Sequence, residues 1–158
     1  VAKTDQLEWM DKQLSAEELL AEVLSPLYVM AEAKGVALQV ETTPEIRLCC
    51  DRKWTAEALS NIVKNCIEHT NAGGNVFVKA MQNNFATEII IRDTGEGIGK
   101  EHLPYIFQRF YKAPGSGSGS VGIGLSMSKQ LIMRQNGTIE VKSELGVGTE
   151  FTVRLYRR

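Results

Sequence analysis

Over residues 15–156 the spacing of apolar side chains switches repeatedly between the three-and-four interval of a helix and the two-residue interval of a strand. A chain written this way needs both kinds of element around one core. Ser15 opens the first helical stretch, with Leu19, Leu20, Val23, Leu24, Leu27, Met30 and Ala31 as its stripe, Glu18 completing a capping box and Gly35 ending it. Val36, Leu38 and Val40 then alternate with Ala37, Gln39 and Glu41, the pattern of a strand with one buried face; residues 46–50 are a second short strand beyond a bend at Pro44. Asp51 can cap a second helix reaching about residue 70, whose stripe is Trp54, Ala58, Leu59, Ile62, Val63, Cys66 and Ile67. Residues 76–81 and 87–92 make a strand pair joined through Gln82-Asn83-Asn84. A short helix is expected over 103–111 and a longer one over 121–135, with Leu125, Leu131 and Ile132 as core positions. Two last strands, 138–143 and 149–156, flank Gly146-Val147-Gly148.

The length, 158 residues with 43% hydrophobic, fills one domain with a sizeable core. Eighteen Lys plus Arg against nineteen Asp plus Glu leave a net charge of −1, so no global basic excess exists to hold a nucleic-acid backbone or an anionic membrane. Any polyanion must be bound locally. Apolar runs such as Ile89-Ile90-Ile91 are far short of the ~20 residues of a membrane-spanning helix. The three cysteines have neither metal-ligand spacing nor an even count, so a reducing compartment and three buried thiols are expected. Residues 1–12 are poor in apolar side chains and lack a period; they are expected to be a lead-in, the chain starting mid-protein.

Three stretches carry candidate chemistry. Asn61 and Asn65 are four apart on the second helix and share a face, with Glu57 one turn before and Glu68 and His69 one turn after. Amide oxygens are hard neutral ligands suited to Mg²⁺, although a solvent-facing polar stripe looks the same. Asp93-Thr94-Gly95-Glu96-Gly97-Ile98-Gly99 follows a strand directly; its glycines allow close approach of backbone to a ligand, and its aspartate offers an acceptor for an exocyclic amine. A tight turn alone would account for it equally, whereas the carboxylate spacing of a calcium loop is missing. Gly122-Ile123-Gly124-Leu125 opens a helix after the Gly/Ser stretch 115–120, where N-terminal amides favour an anion. Neither a Walker sequence nor a Rossmann fingerprint is present.

Taken in order with Phe107-Gln108-Arg109-Phe110-Tyr111-Lys112, these stretches resemble the ATP-binding catalytic domain of sensor histidine kinases, within the superfamily of gyrase, heat-shock chaperone, kinase and mismatch-repair ATPases. Asn61-Ile-Val-Lys-Asn65-Cys-Ile-Glu-His-Thr70 is similar to the asparagine motif, residues 93–99 to the first glycine motif, 107–112 to the phenylalanine motif and 122–125 to the second glycine motif; Gly146-Val-Gly-Thr149 is similar to the closing turn. The resemblance implies a two-layer α/β sandwich of the Bergerat type, a mixed sheet covered on one face by helices. It makes Asn65 the principal Mg²⁺ ligand with Asn61 in support, and Asp93 the acceptor for the adenine amino group. Gly95, Gly97 and Ile98 would shape the adenine pocket, with His69, Phe110 and Tyr111 beside the nucleotide. Gly122, Ile123, Gly124 and Leu125 would approach the phosphates, Lys112 and Arg109 would contact them, and residues 113–121 would close as a lid over ATP.

By the same resemblance, residues 1–14 lead in from an upstream dimerisation and phosphoacceptor domain, and 15–158 form the catalytic domain. The acceptor histidine of that family lies in a stretch resembling His-Glu-Leu-Arg-Thr-Pro, and neither His69 nor His102 has such surroundings. The partners implied are those upstream helices and the aspartate of a response-regulator receiver domain. The whole protein is implied to be a membrane-associated homodimer with this portion in the cytoplasm, the piece alone being monomeric. Two departures stand out: Glu68 and His69 occupy positions where many members have a basic residue followed by an aromatic. Three rivals remain: a hydrolytic ATPase with Glu57 as base if Asn61 holds the metal, a self-contained serine kinase, and a degenerate nucleotide-binding module.

Overall fold

A computed structural model describes residues 13–111 and 124–157. The first helix, α1 (Ala16–Lys34), starts where Ser15 Oγ accepts the Glu18 N–H at 3.2 Å and stops at Gly35, whose φ of 78° provides the left-handed cap. Of its expected stripe, Leu19, Leu20, Val23, Leu24, Leu27 and Ala31 are buried, and Met30 is half-buried. Pro26 sits inside α1 on the exposed side and does not end it, because the apolar stripe continues on both sides of the missing N–H. A strand not foreseen, β1 (Gln13–Ser15), pairs antiparallel with β3 (Arg47–Cys49), bringing Gln13 and Leu14 against the domain; three residues are too few to show a period. Residues 1–12 of the expected lead-in lie outside the described residues.

The main sheet runs β2-β4-β5-β7-β6, built from β2 (Ala37–Glu41), β4 (Asn75–Gln82), β5 (Ala86–Asp93), β6 (Thr138–Glu144) and β7 (Gly148–Tyr156). Only the β2–β4 pair is parallel, so the sheet is mixed, as expected. Alternation sets its two faces. Val78, Ile91, Phe151 and Val141 fall in one row across four strands, and Ala80, Ile89, Val153 and Ile139 in the next, all on the covered face. The opposite face carries Arg154, within 2.5 Å of Glu88 and 2.8 Å of Glu140, and Arg92 stacked 4.8 Å over the Phe77 ring. β2 departs from its expected pattern: Val36 is buried but precedes the strand, and Val40 is 43% exposed, because β2 is an edge strand.

Helix α2 (Arg52–Glu68) lies between α1 and α3 (Gly124–Met133), forming the layer over the covered face. Asp51 caps α2 by accepting the Trp54 N–H at 2.8 Å. Two buried polar ties fix α3 to α2. Ser128 Oγ donates to the Ala58 carbonyl at 2.8 Å, and the Gln135 amide accepts from Asp51 N at 2.8 Å while donating to Thr55 Oγ1 at 3.2 Å. Cys50 and Cys66 are buried and Cys49 is half-buried, which corrects the expectation for that residue; burial pushes the Cys50 thiol up to about 11, so it stays protonated.

The Lys34 ammonium crosses from the end of α1 to the last carbonyls of α2, donating to Ile67 O at 3.0 Å and to Glu68 O. A cation there complements the helix dipole and satisfies carbonyls that have no intrahelical donor. Lys34→Met is expected to lower stability by about 1 kcal/mol, seen as a lower urea midpoint at unchanged slope.

Residues 103–111 do not form the continuous short helix expected. Only Leu103–Tyr105 is helical, of the 3₁₀ type, and successive three-residue bonds follow: Tyr105 N to His102 O, Gln108 N to Tyr105 O, and Tyr111 N to Gln108 O. Pro104 supplies no N–H, and Phe110 takes φ 66°, which interrupts any α-helical continuation.

Candidate functional site

The C-terminal half of α2, the end of β5, the glycine loop and the start of α3 converge at one end of the sheet. Stripe residues Ile62, Val63, Cys66 and Ile67 bury one side of α2, which leaves Asn61 and Asn65 half-buried on the adjoining side. Gly124, the first described residue of α3, faces Asn61: a Cβ built on it would lie 3.6 Å from Asn61 Cβ. Asn61 Nδ2 lies 3.9 Å from Met127 Sδ, one turn into α3. Asn61 and Gly124, 63 positions apart in the sequence, are therefore side by side.

Asp93 ends β5 with 4% of its surface exposed. Its Oδ1 accepts the Gly95 N–H at 2.9 Å and the Thr149 N–H at 3.1 Å, and the Cys66 thiol hydrogen-bonds to the same carboxylate. Burial raises the Asp93 carboxyl above its ordinary 3.8, opposed by the two backbone N–H groups, by Cys66 and by His69. Desolvation first, and then the Asp93 charge, push the Cys66 thiol well up, so it is a donor at neutral pH. Of the four acceptor directions on a carboxylate, the described residues occupy three, which leaves one for a ligand donor.

The loop after Asp93 is held by close backbone approaches. A Cβ on Gly95 would collide with the His69 carbonyl, tying the loop to the α2 C-terminus, and one on Gly97 (φ 79°) would collide with the Glu144 carbonyl. Ile98 N donates to Ser143 Oγ at 2.6 Å, and Gly146 N to Glu96 O at 2.8 Å, so the loop rests on the β6–β7 turn.

The arrangement sets one buried acceptor and two amides near a helix start, and its matches among known proteins agree with it. Residues 50–158 match the family described as histidine kinase-, DNA gyrase B-, and HSP90-like ATPase. The chain belongs to that family. Over 142 residues it is 37% identical to the sensor histidine kinase YclK of Bacillus subtilis (strain 168), covering 87% of this chain and 30% of that protein. The sensor protein SrrB of Staphylococcus aureus (strain MRSA252) is 36% identical over 116 residues, 68% of this chain and 20% of that protein. The chain thus spans less than a third of the length of these curated relatives. In fold it is similar to the mycobacterial sensor histidine kinase MprB, with TM-score 0.83 at 23% identity over 93% of this chain and 99% of that one. Full-length ShkA in complex with AMPPNP gives 0.79 at 24% identity over 92% of this chain and 31% of that one.

This histidine-kinase-type ATP-binding domain brings together Asn61, Asn65, His69, Asp93, Gly95, Gly97, Ile98, Gly124 and Leu125, the last half-buried against the core. His69 caps α2 and Glu68 is exposed. Arg109 and Phe110 pair with each other instead, the guanidinium 5.0 Å from the centre of a ring that is 63% exposed. Tyr111 Oη contacts His102 Nδ1 at 2.5 Å. Lys112, Gly122, Ile123 and residues 113–121 of the expected lid lie outside the described residues. Cys66, Thr149 and Ser143 were not singled out as site residues from sequence: Cys66 counts as apolar on a helical wheel, and the other two join Asp93 only through strand pairing. Among the described residues no helix is long and apolar enough to cross a membrane.

Proposed function

We propose that this domain binds Mg·ATP between α2, the Asp93 loop and α3 and presents the γ-phosphate to a histidine on helices upstream in the same protein. The observation that carries the reading is Asp93, a nearly buried carboxylate with one free acceptor direction, held at the strand end by two backbone N–H groups and a thiol. Its acceptor suits an exocyclic amine, and the glycines beside it let the loop pack directly against the His69 and Glu144 carbonyls.

Two amide side chains on one helix face fit an ion that keeps waters and shares phosphate oxygens. Asn65 and Asn61, one turn apart on the same side of α2, are the side chains that would hold Mg²⁺. When bound, the ion supplies neutralisation of phosphate charge. The chain's own residues position: Asp93 orients the base, and the start of α3 at Gly124 lies beside Asn61. Transfer then breaks the bond between the γ-phosphorus and the β–γ bridging oxygen and forms a phosphorus–nitrogen bond to histidine, with ADP leaving. Glu57, the base of a hydrolytic alternative, is exposed to solvent on α2. The phosphoryl group would pass to an aspartate of a response-regulator receiver domain, the whole protein being a membrane-associated homodimer with this domain on the cytoplasmic side.

The test is phosphoryl transfer from γ-labelled Mg·ATP to a separately supplied helical domain bearing a phosphoacceptor histidine, with its His→Ala form as control. Label on the histidine form alone supports the kinase reading; release of phosphate with neither form labelled would favour a hydrolytic ATPase.

A further inference from the structure

The last turn of α1 is stitched to the Asp93 end of the sheet by two routes. One runs through backbone: Gly35 O accepts the Gly73 N–H at 2.8 Å, Gly74 O accepts the Ala37 N–H at 3.0 Å, and a Cβ built on Gly74 would lie 3.0 Å from Thr94 Oγ1. Thr94, next to Asp93 in the chain, is pinned in turn by Asn75, whose N–H its hydroxyl accepts at 2.9 Å while its own N–H reaches Asn75 O at 3.0 Å.

The other route depends on a single side chain. Lys34 Nζ donates to Ile67 O at 3.0 Å and to Glu68 O, the two residues before His69. Gly95 lies on the His69 carbonyl so closely that no Cβ fits between them, and Gly95 N donates to Asp93 Oδ1 at 2.9 Å. Contacts are therefore continuous from the Lys34 ammonium to the Asp93 carboxylate. A lysine near a helix C-terminus favours the dipole wherever it lies. What Lys34 adds is the place it holds, the end of a neighbouring helix where the chain turns toward the pocket. A close-packed backbone contact has no side chain to absorb a displacement, so a shift of residues 67–69 passes on to Gly95. At the other end of α1, about 28 Å away for 19 residues, the helix continues directly from β1, the strand through which the preceding part of the chain is attached.

We propose that Lys34 is a positioning residue of the nucleotide site: by holding the last carbonyls of α2 it fixes the His69 carbonyl, and through Gly95 the direction of the Asp93 carboxylate, so that α1 sets affinity for the base from outside the pocket. The proposal deepens the nucleotide reading of Asp93 and rests on it.

The experiment is calorimetric titration with a non-hydrolysable ATP analogue and with its counterpart lacking the exocyclic amine, in the unmodified chain, Lys34→Met, Lys34→Arg and Thr87→Val. Thr87 is buried at the opposite end of β5 and donates to Arg47 O at 2.6 Å, so its loss also removes one tertiary hydrogen bond, remote from Asp93. Lys34→Met is expected to bind the amine-bearing analogue about fivefold more weakly, a fraction of one charge-assisted hydrogen bond, and the counterpart within about twofold of the unmodified chain. Lys34→Arg, which keeps charge and donors, is expected to recover the affinity, and Thr87→Val to leave both compounds within about twofold. If Lys34→Met binds the amine-bearing analogue normally, or weakens both compounds alike, Lys34 serves the fold alone and the proposal is overturned. The same selective loss in Thr87→Val, or an undiminished loss in Lys34→Arg, overturns it too. Should Lys34→Met melt below the assay temperature, Lys34→Gln takes its place and is expected to show part of the selective loss; none there counts against the proposal. An unmodified chain that binds neither compound, or both alike, would instead remove the reading of Asp93 on which the proposal stands.

Discussion

Asp93→Asn lowers affinity for an ATP analogue by about 10²–10³-fold while leaving the chain folded. An amide in this position cannot serve all its neighbours. With its oxygen kept toward Gly95 N and Thr149 N, its NH₂ meets the ligand amine and two donors face each other; turned over, it abandons both backbone N–H groups. Loss of a charge-assisted hydrogen bond and an unpaired buried donor together cost about 3–4 kcal/mol, which gives that factor. Acid should do the same reversibly. Because burial raises the Asp93 carboxyl above 3.8, binding in the unmodified chain falls away on acidification at a higher pH than an exposed aspartate would dictate. The linked effect on folding has the opposite sign. The folded carboxyl holds its proton more tightly than the unfolded one, so Asp93's contribution to stability rises as pH falls through that window and is lost as pH rises. Calorimetric affinity measured against pH checks the first effect, and the binding curve of Asp93→Asn should lack that acid limb.

Asn65→Ala is expected to reduce phosphoryl transfer by about 10²–10³-fold, the usual cost of removing one group that stabilises transition-state charge. Binding of the analogue without Mg²⁺ should change little, since Asn65 and Asp93 sit on different elements and the base contact survives. The diagnostic is therefore loss of the magnesium dependence. Equal weakening with and without Mg²⁺ would mean that Asn65 serves the fold and holds no ion. Asn61→Ala should show the same pattern more weakly, because that side chain already lies against Met127 of α3.

Periodicity made the helices and the long strands legible, since each buries one face and the spacing of Leu, Ile and Val records which one. Caps were equally legible: Ser15 and Asp51 were expected as N-caps and each accepts the N–H three residues on. Asp93 stood out less by itself, since a tight turn would account for its glycine-rich stretch, than by its order with the asparagine and second glycine stretches. What the spacing did not show is non-local. Thr149 and Ser143 join Asp93 only once β7 is placed between β5 and β6, an order that pattern alone does not specify. Gln135 and Ser128, ordinary polar residues on or just beyond α3, became the buried ties to α2 through packing that no local signal records. The segment over 103–111 misled because Leu103, Ile106 and Phe107 share a helix-like spacing with a chain of three-residue turns.

The most direct test of a nucleotide site between α2 and the Asp93 loop is calorimetric titration of the chain with a non-hydrolysable ATP analogue, with and without Mg²⁺. Saturable binding, tightened by Mg²⁺, is the predicted result. No saturable binding at millimolar analogue, in a chain that shows cooperative unfolding, would contradict it and leave the pocket without its proposed ligand.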